Sequence, residues 1–393
     1  MNGLFSREGF TGFGPCALDP VGRERPLFGV RARRPGRLRE AVRQMAPRSP
    51  GIYGMIDAIG DLIYVGKAKS LRSRLLSYFR PDSRDDRSTN IIRQTRRLVW
   101  EPCGSEFAAL LRELELIRRH QPRLNVQGVP RRQRRVYLCL GRRPAPSLFL
   151  AGKPPMTAEA VFGPVAGLRR ARQAMRHLSD WYRLRDCPRT VPMFFADQRE
   201  LFSLPLVPGC IRHELGYCIA PCAAACTQAE YAFHAMAVVD FLEGRDTTPL
   251  EQLQRQRDEA AAEQLFERAA VLHARLESLT WLFQHLGRLR EAVRESFVYP
   301  VDEGGRQTWY LIRNGCVRGA VDAGAGEAAR QRLEEVYATG GPWEHLPAPA
   351  EVDGLLLVAA WFRRHKAERQ RRLTVDEARE RLSSNHFFDE EVG

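Results

Sequence analysis

Two tripeptides, Gly51-Ile52-Tyr53 and Tyr64-Val65-Gly66, stand close together in a stretch rich in Ile, Tyr and Val. That composition predicts two short strands, Gly51–Asp57 and Leu62–Val65, joined by a turn at Gly60-Asp61. Antiparallel pairing would bring Tyr53 and Tyr64 close on one face. Lys67 follows at once, Arg74 comes seven residues later, and Tyr78 lies one helical turn beyond Arg74 on the same side. A guanidinium offers a fork matched to phosphate, and a lysine beside a tyrosine lowers that phenol's pKa through its charge. A phenol so lowered can act as a general base. A single tyrosine in a strand is ordinarily core packing; the combination within residues 51–78 is what marks this span for chemistry.

The elements that must hold these residues can be read from the same pattern. Ser70 stands as N-cap of a helix from Leu71 to about Phe79, with Leu71, Leu75 and Phe79 on its apolar stripe and Arg72 and Arg74 exposed. A polar loop, Pro81–Ser88, leads into a second helix, and Leu98–Glu101 reads as a third strand. Ser105 opens a long helix to His120 whose buried face is Leu110, Leu111, Leu114 and Ile117, and Pro122 stops it. Upstream, residues 1–37 are rich in Gly, Pro and Arg without periodicity and read as a loose arm offering an additional phosphate contact. A short helix, Arg37–Met45, follows.

Farther along, Val136–Leu140 and Leu148–Leu150 read as strands and Leu168–Trp181 as a helix. Tyr231–Glu243 and Leu250–Leu289 carry helical periodicity, the latter long enough for a hairpin. Val298–Val301, Thr308–Arg313 and Val317–Val321 suggest a meander, with helices at Ala328–Tyr337 and Glu351–Lys366. The expected division is 1–47 (arm and lead-in helix), 48–127, 128–228, 229–290 and 291–393.

The chain has 393 residues and a formal charge of +14, which suits a polyanionic partner; a genome that favours Arg is the bland alternative. The longest apolar run near the end, Gly354–Phe362, falls far short of the ~20 residues a bilayer demands. No secretory signal opens the sequence, so a cytoplasmic protein with no membrane partner is expected. Five of nine cysteines, Cys187, Cys210, Cys218, Cys222 and Cys226, crowd into one segment, which calls for a shared ligand rather than disulfides.

The run from Gly51-Ile52-Tyr53 through Ile63-Tyr64-Val65-Gly66-Lys67-Ala68-Lys69-Ser70-Leu71-Arg72-Ser73-Arg74, then Ser105-Glu106, Ala109-Leu110-Leu111-Arg112-Glu113 and Pro122-Arg123-Leu124-Asn125, resembles the GIY-YIG nuclease domain of the UvrC family. The resemblance implies a central sheet flanked by helices and hydrolysis of a phosphodiester. It places Tyr53, Tyr64, Lys67, Arg74 and Tyr78 on the active face, makes Glu113 the carboxylate for Mg²⁺ (or Mn²⁺), and has Asn125 close the site. One carboxylate on a rigid helix suits a Mg²⁺ that keeps most of its waters. Between the two phenols, Tyr53 is preferred as general base over Tyr64. Glu106, on the same helical face as Glu113, reads rather as a capping or salt-bridge carboxylate. The sequence departs from the family at Arg112, where leucine is usual, and the arginine is expected to face solvent.

The segment around Cys210, Cys218 and Cys222 resembles the cysteine-rich part of the same family, which implies that Cys187, Cys210, Cys218 and Cys222 hold a [4Fe-4S] cluster; thiolates alone suit Zn²⁺ as well, with His213 and Cys226 as rival ligands. Residues 264–270, with Phe266 and Glu267, resemble the UVR motif, which implies docking on a UvrB-like protein, although His273 and Ala274 replace the usual arginine-aspartate pair. An ordinary amphipathic hairpin is the plain alternative.

The fold expected is therefore α+β: a small GIY-YIG α/β nuclease domain, a cysteine-rich linker, a UVR-like helical hairpin and a small α+β C-terminal unit. The function expected is a metal-dependent repair endonuclease that acts on damaged double-stranded DNA, with a GIY-YIG nuclease of another DNA transaction or a non-catalytic DNA-binding adaptor as alternatives. A single cut is expected, because Asp302-Glu303, Asp322 and Asp353 read as turn, loop and helix-start residues and form no second carboxylate site, and the resemblance implies that the cut falls on the 3′ side.

Overall fold

Every residue of the Gly51–Ile56 strand is buried, because helices cover both faces of the sheet it runs through. The computed structural model describes residues 9–20, 23, 25–80, 86–125, 135–188, 190–198, 210–338 and 349–384. Its first part comprises strand β1 (Phe28–Arg31), helix α1 (Pro35–Met45), strands β2 (Gly51–Ile56) and β3 (Leu62–Ala68), helices α2 (Leu71–Ser77) and α3 (Asp86–Gln94), strand β4 (Arg97–Pro102) and helix α4 (Glu106–His120). The sheet runs β1-β4-β2-β3, antiparallel throughout. Leu38, Val42, Leu71, Leu75 and Ile91 pack with Tyr53, Met55, Ile63 and Trp100. Ile52, Val65 and Val99 pack instead with Phe107, Leu111 and Leu116 of α4. Ser105 caps α4 by accepting the Ala108 N–H at 3.0 Å, and Gln121 ends it in a left-handed conformation.

Several expectations change here. The residues between 9 and 31 are no loose arm: Phe13 is 2% exposed, and β1 pairs along β4, whose outer edge would otherwise present unpaired backbone groups. Residues 1–8, and residues 81–85 of the expected Pro81–Ser88 loop, lie outside the described residues. Ser70 occupies the N-cap position without capping. Its hydroxyl bonds Ser73 Oγ at 3.1 Å, while the Leu71 and Arg72 N–H groups donate to the carbonyls of Ser49 and Pro47. On α4, Leu110 and Leu114 are only half-buried, and Phe107, Ala108 and Leu116 are buried with Leu111 and Ile117.

The largest correction is Arg112. It is 1% exposed, not solvent-facing. Its guanidinium donates to Glu101 at 3.1 and 3.3 Å, to Glu115 at 2.9 Å and to the carbonyls of Gly14 and Pro15. A buried guanidinium needs this full set of acceptors, which the folded 9–20 segment completes.

The second unit, residues 133–292 with 344–352, contains strands β5 (Arg135–Leu140), β6 (Leu148–Ala151) and β7 (Ala160–Ala166) in the order β6-β5-β7. Helices α5 (Leu168–Trp181), α6 (Ile211–Glu214), α7 (Gln228–Leu242), α8 (Thr248–Ala262) and α9 (Phe266–Arg294) follow. Leu138, Phe162, Leu178, Tyr231, Phe241 and Leu282 share its core. Strand β7 escaped the sequence pattern because Gly163-Pro164 interrupts it. The Leu250–Leu289 stretch is the expected hairpin, broken at Gln264, which adopts φ 58°.

Strands β8 (Phe297–Asp302), β9 (Gln307–Arg313) and β10 (Cys316–Asp322) form the expected meander, followed by helices α10 (Glu327–Ala338), α11 (Pro349–Arg364), α12 (Lys366–Gln370) and α13 (Val375–Ser384). They are not the independent unit 291–393: residues 293–343 and 353–393 cluster with residues 1–132. Phe107 of α4 meets Tyr299 and Tyr310 edge-on, each at 5.0 Å between centroids. Glu303 is 7% exposed and accepts hydrogen bonds from Ser105, Tyr310, Thr308 and Arg23. Its side chain presses so closely on Gly104 that a Cβ there would collide with it. Among the described residues no helix is long and apolar enough to cross a membrane.

Removing the Arg112 guanidinium leaves Glu101 buried, with Arg25 its remaining charge partner at 3.9 Å. Arg112→Ala is therefore expected to destabilise the protein by about 3–5 kcal/mol. Urea unfolding measures it; a loss under about 1 kcal/mol, within the range of an exposed pair, would return Arg112 to the surface.

Candidate active site

Strand pairing sets the geometry of the site. Tyr53 faces Gly66 across the β2–β3 ladder and Tyr64 faces Met55, so the two phenols are diagonal neighbours on one side of the sheet. Their ring centroids lie 6.2 Å apart. Tyr78, at the C-cap of α2, completes a triangle at 6.0 Å from Tyr53 and 6.4 Å from Tyr64. The three rings leave no room for a side chain between them: a Cβ on Gly66 would fall 2.6 Å from the Tyr53 hydroxyl and 2.9 Å from the Tyr64 ring. Gly66 is thus a site residue that the sequence reading passed over. Counting register from Tyr53 would have found it, since the residue opposite must be small.

The phenols are not equivalent. Tyr53 is 1% exposed; its hydroxyl bonds Tyr78 at 2.9 Å and accepts from Arg74 Nε at 3.3 Å. Burial pushes its pKa well above the ordinary range, and the neighbouring phenols add to that. Tyr64 is half-buried and lies near enough to Glu113 for the carboxylate to act on its ionisation. Burial, Tyr78 and Glu113 push Tyr64 upward too, while Arg74 pulls it down. Arg74 is exposed at its tip and sets its guanidinium 5.1 Å from the Tyr78 ring centre.

Glu113 is half-buried on α4 and accepts the Lys67 N–H at 3.2 Å. Burial raises its pKa, against the pull of Lys67 and Arg74. The charge of Lys67 thus bears on the carboxylate, and that of Arg74 on both the carboxylate and the tyrosines. A half-buried hard-oxygen donor, partly stripped of water, fits a divalent cation that brings its own waters. Among the described residues no three His, Cys, Asp or Glu side chains gather at metal-holding distance, so a cation here would rest on one carboxylate. Asn125 is 5% exposed and clamps β3 from both sides of Val65, accepting its N–H at 2.9 Å and donating to its carbonyl at 2.8 Å. It holds the strand that presents Tyr64 and Gly66. Glu106 pairs with Lys69 at 3.1 Å, as the salt-bridge reading expected. Beside the site a cleft of about 460 Å³ is lined by Lys67, Lys69, Ser70, Ser73, Arg74 and Glu106.

Residues 49–126 match the family model of the UvrC-like GIY-YIG domain, and residues 135–241 match that of the UvrC/Cho excinuclease middle domain. The chain thus carries two consecutive domains of UvrC type. It is 30% identical over 269 residues to UvrABC system protein C of Chelativorans sp. (strain BNC1), covering 68% of this chain and 40% of that protein. To the same protein of Sphingopyxis alaskensis it is 32% identical over 281 residues, 71% of this chain and 42% of the other. The chain thus spans well under half the length of these UvrC relatives. The GIY-YIG N-terminal endonuclease domain of UvrC from Thermotoga maritima, solved bound to its catalytic divalent cation, magnesium, is 33% identical, covers 22% of this chain and 94% of that one, and has a TM-score of 0.21.

Cys187, Cys210, Cys218, Cys222 and Cys226 form no disulfide. Cys218 is pushed up to about 11 by burial, with further contributions from Cys210, Cys222 and Cys187, so the four expected ligands lie within electrostatic reach of one another. His213 turns Nδ1 to the Cys218 carbonyl at 3.1 Å. At the hairpin tip Phe266 is 71% exposed, with Leu265 and Val271 beside it.

A methyl group at position 66 would have to displace the Tyr53 or Tyr64 ring. Gly66→Ala is therefore expected to lower phosphodiesterase turnover by about 10²-fold, because misplaced catalytic groups cost that much. Steady-state rates check it; a variant that folds and turns over normally would show that the phenols tolerate displacement.

Proposed function

We propose that this chain is an excision-repair endonuclease that hydrolyses one phosphodiester of damaged duplex DNA at the edge of β3. The observation that carries the reading is the grouping of Tyr64, Arg74, Lys67 and Glu113 within reach of one another, beside the open cleft that Lys67 and Arg74 line. Phosphodiester hydrolysis needs a base for the attacking water and neutralisation of the developing charge. We assign the base to Tyr64, in place of the Tyr53 favoured by the sequence, because Tyr53 is enclosed and its hydroxyl is already shared between Tyr78 and Arg74. Tyr53 and Tyr78 then hold Arg74 in register, and its guanidinium stabilises charge on the phosphate. Glu113 would hold a divalent cation, which supplies charge neutralisation at the leaving oxygen and offsets the carboxylate that otherwise pushes Tyr64 upward. Asn125 acts through β3 as a positioning residue.

We place the cut on the 3′ side of the lesion, once per chain. Among the described residues of 293–384, the carboxylates singled out in the sequence do structural work. Glu303 is bound by four donors, Asp302 accepts the Gly305 N–H at 3.1 Å, and Asp322 accepts the Gly324 N–H at 3.0 Å. Incision of an end-labelled, single-lesion duplex tests the reading. Glu113→Gln should abolish cutting and leave DNA affinity nearly unchanged; Tyr64→Phe should lower the rate by about 10²-fold or more, and Tyr53→Phe by less. Full activity of Glu113→Gln, or a cut on the 5′ side that survives it, would sink this assignment.

For the middle region we propose that Cys187, Cys210, Cys218 and Cys222 hold a [4Fe-4S] cluster or Zn²⁺. Among the described residues no three of these side chains stand at metal-holding distance; the support for the reading is that burial, with Cys187 and Cys210 nearby, makes Cys218 and Cys222 harder to ionise, a charge that a cationic centre would compensate. The exposed Leu265, Phe266 and Val271 at the hairpin tip, with Glu267, support docking on a UvrB-like partner; exposed aromatics of this kind serve as interface anchors. Protein purified without oxygen should contain iron and sulfide near four per chain. Stoichiometric zinc would replace the cluster with a structural site, and neither metal would return the cysteines to plain thiols.

A further inference from the structure

The family matches end at residue 241, and the strands and helices after Ser296 carry no assigned role. They are nonetheless joined to the nuclease part within one compact unit. Helix α11 is seated on the first turn of α4, where Trp361 and Phe362 lie 5.4 and 6.2 Å from Phe107. Phe362 is 4% exposed and also meets Tyr299 and Phe297 edge-on. From Phe107 to Glu113 is roughly 9 Å along α4.

The chain leaves this apolar anchor as a strongly basic stretch. Between residues 363 and 372 stand Arg363, Arg364, Lys366, Arg369, Arg371 and Arg372 against one carboxylate, Glu368. The acidic neighbours are already engaged. Glu368 accepts the Tyr299 hydroxyl at 2.7 Å and pairs with Arg371 at 3.1 Å, and Glu295 takes Arg372 at 3.1 Å and Arg369 at 3.9 Å. Arg363, Arg364 and Lys366 are exposed and face no carboxylate within ion-pair distance among the described residues. Cations in the last turn of a helix also complement its dipole, but that accounts for Arg363 and Arg364 and not for Lys366, which begins the next helix.

We infer that Arg363, Arg364 and Lys366 form a second phosphate-contacting surface, which grips the duplex outside the cleavage cleft. It rests on the nuclease reading of the cleft and gives the C-terminal layer a role: a grip fixed to α4 by packing, so that backbone contacts there register the duplex against Glu113. Such contacts are sequence-independent and are read in the salt dependence of binding, because each phosphate neutralised releases condensed counterions.

The test measures binding of a fluorescent duplex from 50 to 200 mM salt in a Glu113→Gln background, where no DNA is cut. Replacing Arg363, Arg364 and Lys366 together by Gln should reduce the log–log salt slope by about 2.7, or 0.9 per contact. In the otherwise unaltered protein the same triple change should raise KM and leave kcat at saturating DNA unchanged. Arg330→Gln with Arg332→Gln removes two cations of α10 that already pair with Glu327 and Glu335 and should leave the slope as it was. Arg363→Lys with Arg364→Lys should retain the slope, since a phosphate accepts either charge. An unchanged slope in the triple variant, an equal drop in the α10 variant, or a loss confined to kcat would each overturn the proposal. If the triple variant binds and cuts as before, only this surface falls; if the unaltered protein binds no duplex at any salt, the nuclease reading falls with it.

Discussion

A guanidinium buried one residue before the candidate metal carboxylate sets the phase of helix α4. Arg112 cannot remain charged in the core without Glu101, Glu115 and the carbonyls of Gly14 and Pro15. Successive helical residues are turned by about 100°. With Arg112 locked inward, Glu113 is carried to the Lys67 N–H, and Phe107 is carried to the face where the C-terminal meander packs. One desolvated ion pair therefore ties together the N-terminal segment, the cleft and the C-terminal layer.

Around that helix, the site works by unequal burial. Three phenols of the same intrinsic acidity are packed within 6.0–6.4 Å of one another, yet only Tyr64 is left partly exposed. Tyr53 and Tyr78 are enclosed and bonded to each other, so their place is to hold Arg74. Gly66 makes the triangle possible through the missing side chain, and Asn125 holds the same strand from its far side through two backbone hydrogen bonds at Val65. Positioning is thus distributed over residues that never touch a phosphate.

The second unit has a different physical character. Its core is built on a small sheet and the long helices α7 and α9, with Tyr231 buried at its centre and bonding the Pro146 carbonyl at 2.9 Å. The cysteines stand between α5 and α7, where Leu184, Phe195 and Cys226 join that core. The hairpin tip, by contrast, is exposed on both helices, which leaves its apolar side chains available to a partner.

The paired tripeptides, the capped helix from Ser105, the meander after Phe297 and the existence of a helical hairpin were all legible in the sequence. They follow from local causes: β-branched and aromatic runs, an N-cap hydroxyl, a 3.6-residue apolar period. The same was true of the tyrosine, arginine and glutamate types at the site, because their spacing on two strands and two helices is set by register. What the sequence could not convey is which side of an element becomes buried by a distant segment. Arg112 reads as a surface cation until residues 9–20 fold over it, and the C-terminal meander reads as a separate domain until Phe107, Tyr299 and Glu303 are seen to share one core. The choice between Tyr53 and Tyr64 is of the same kind. Both are tyrosines on paired strands, and only the packing of α2 over one of them decides which hydroxyl water can reach.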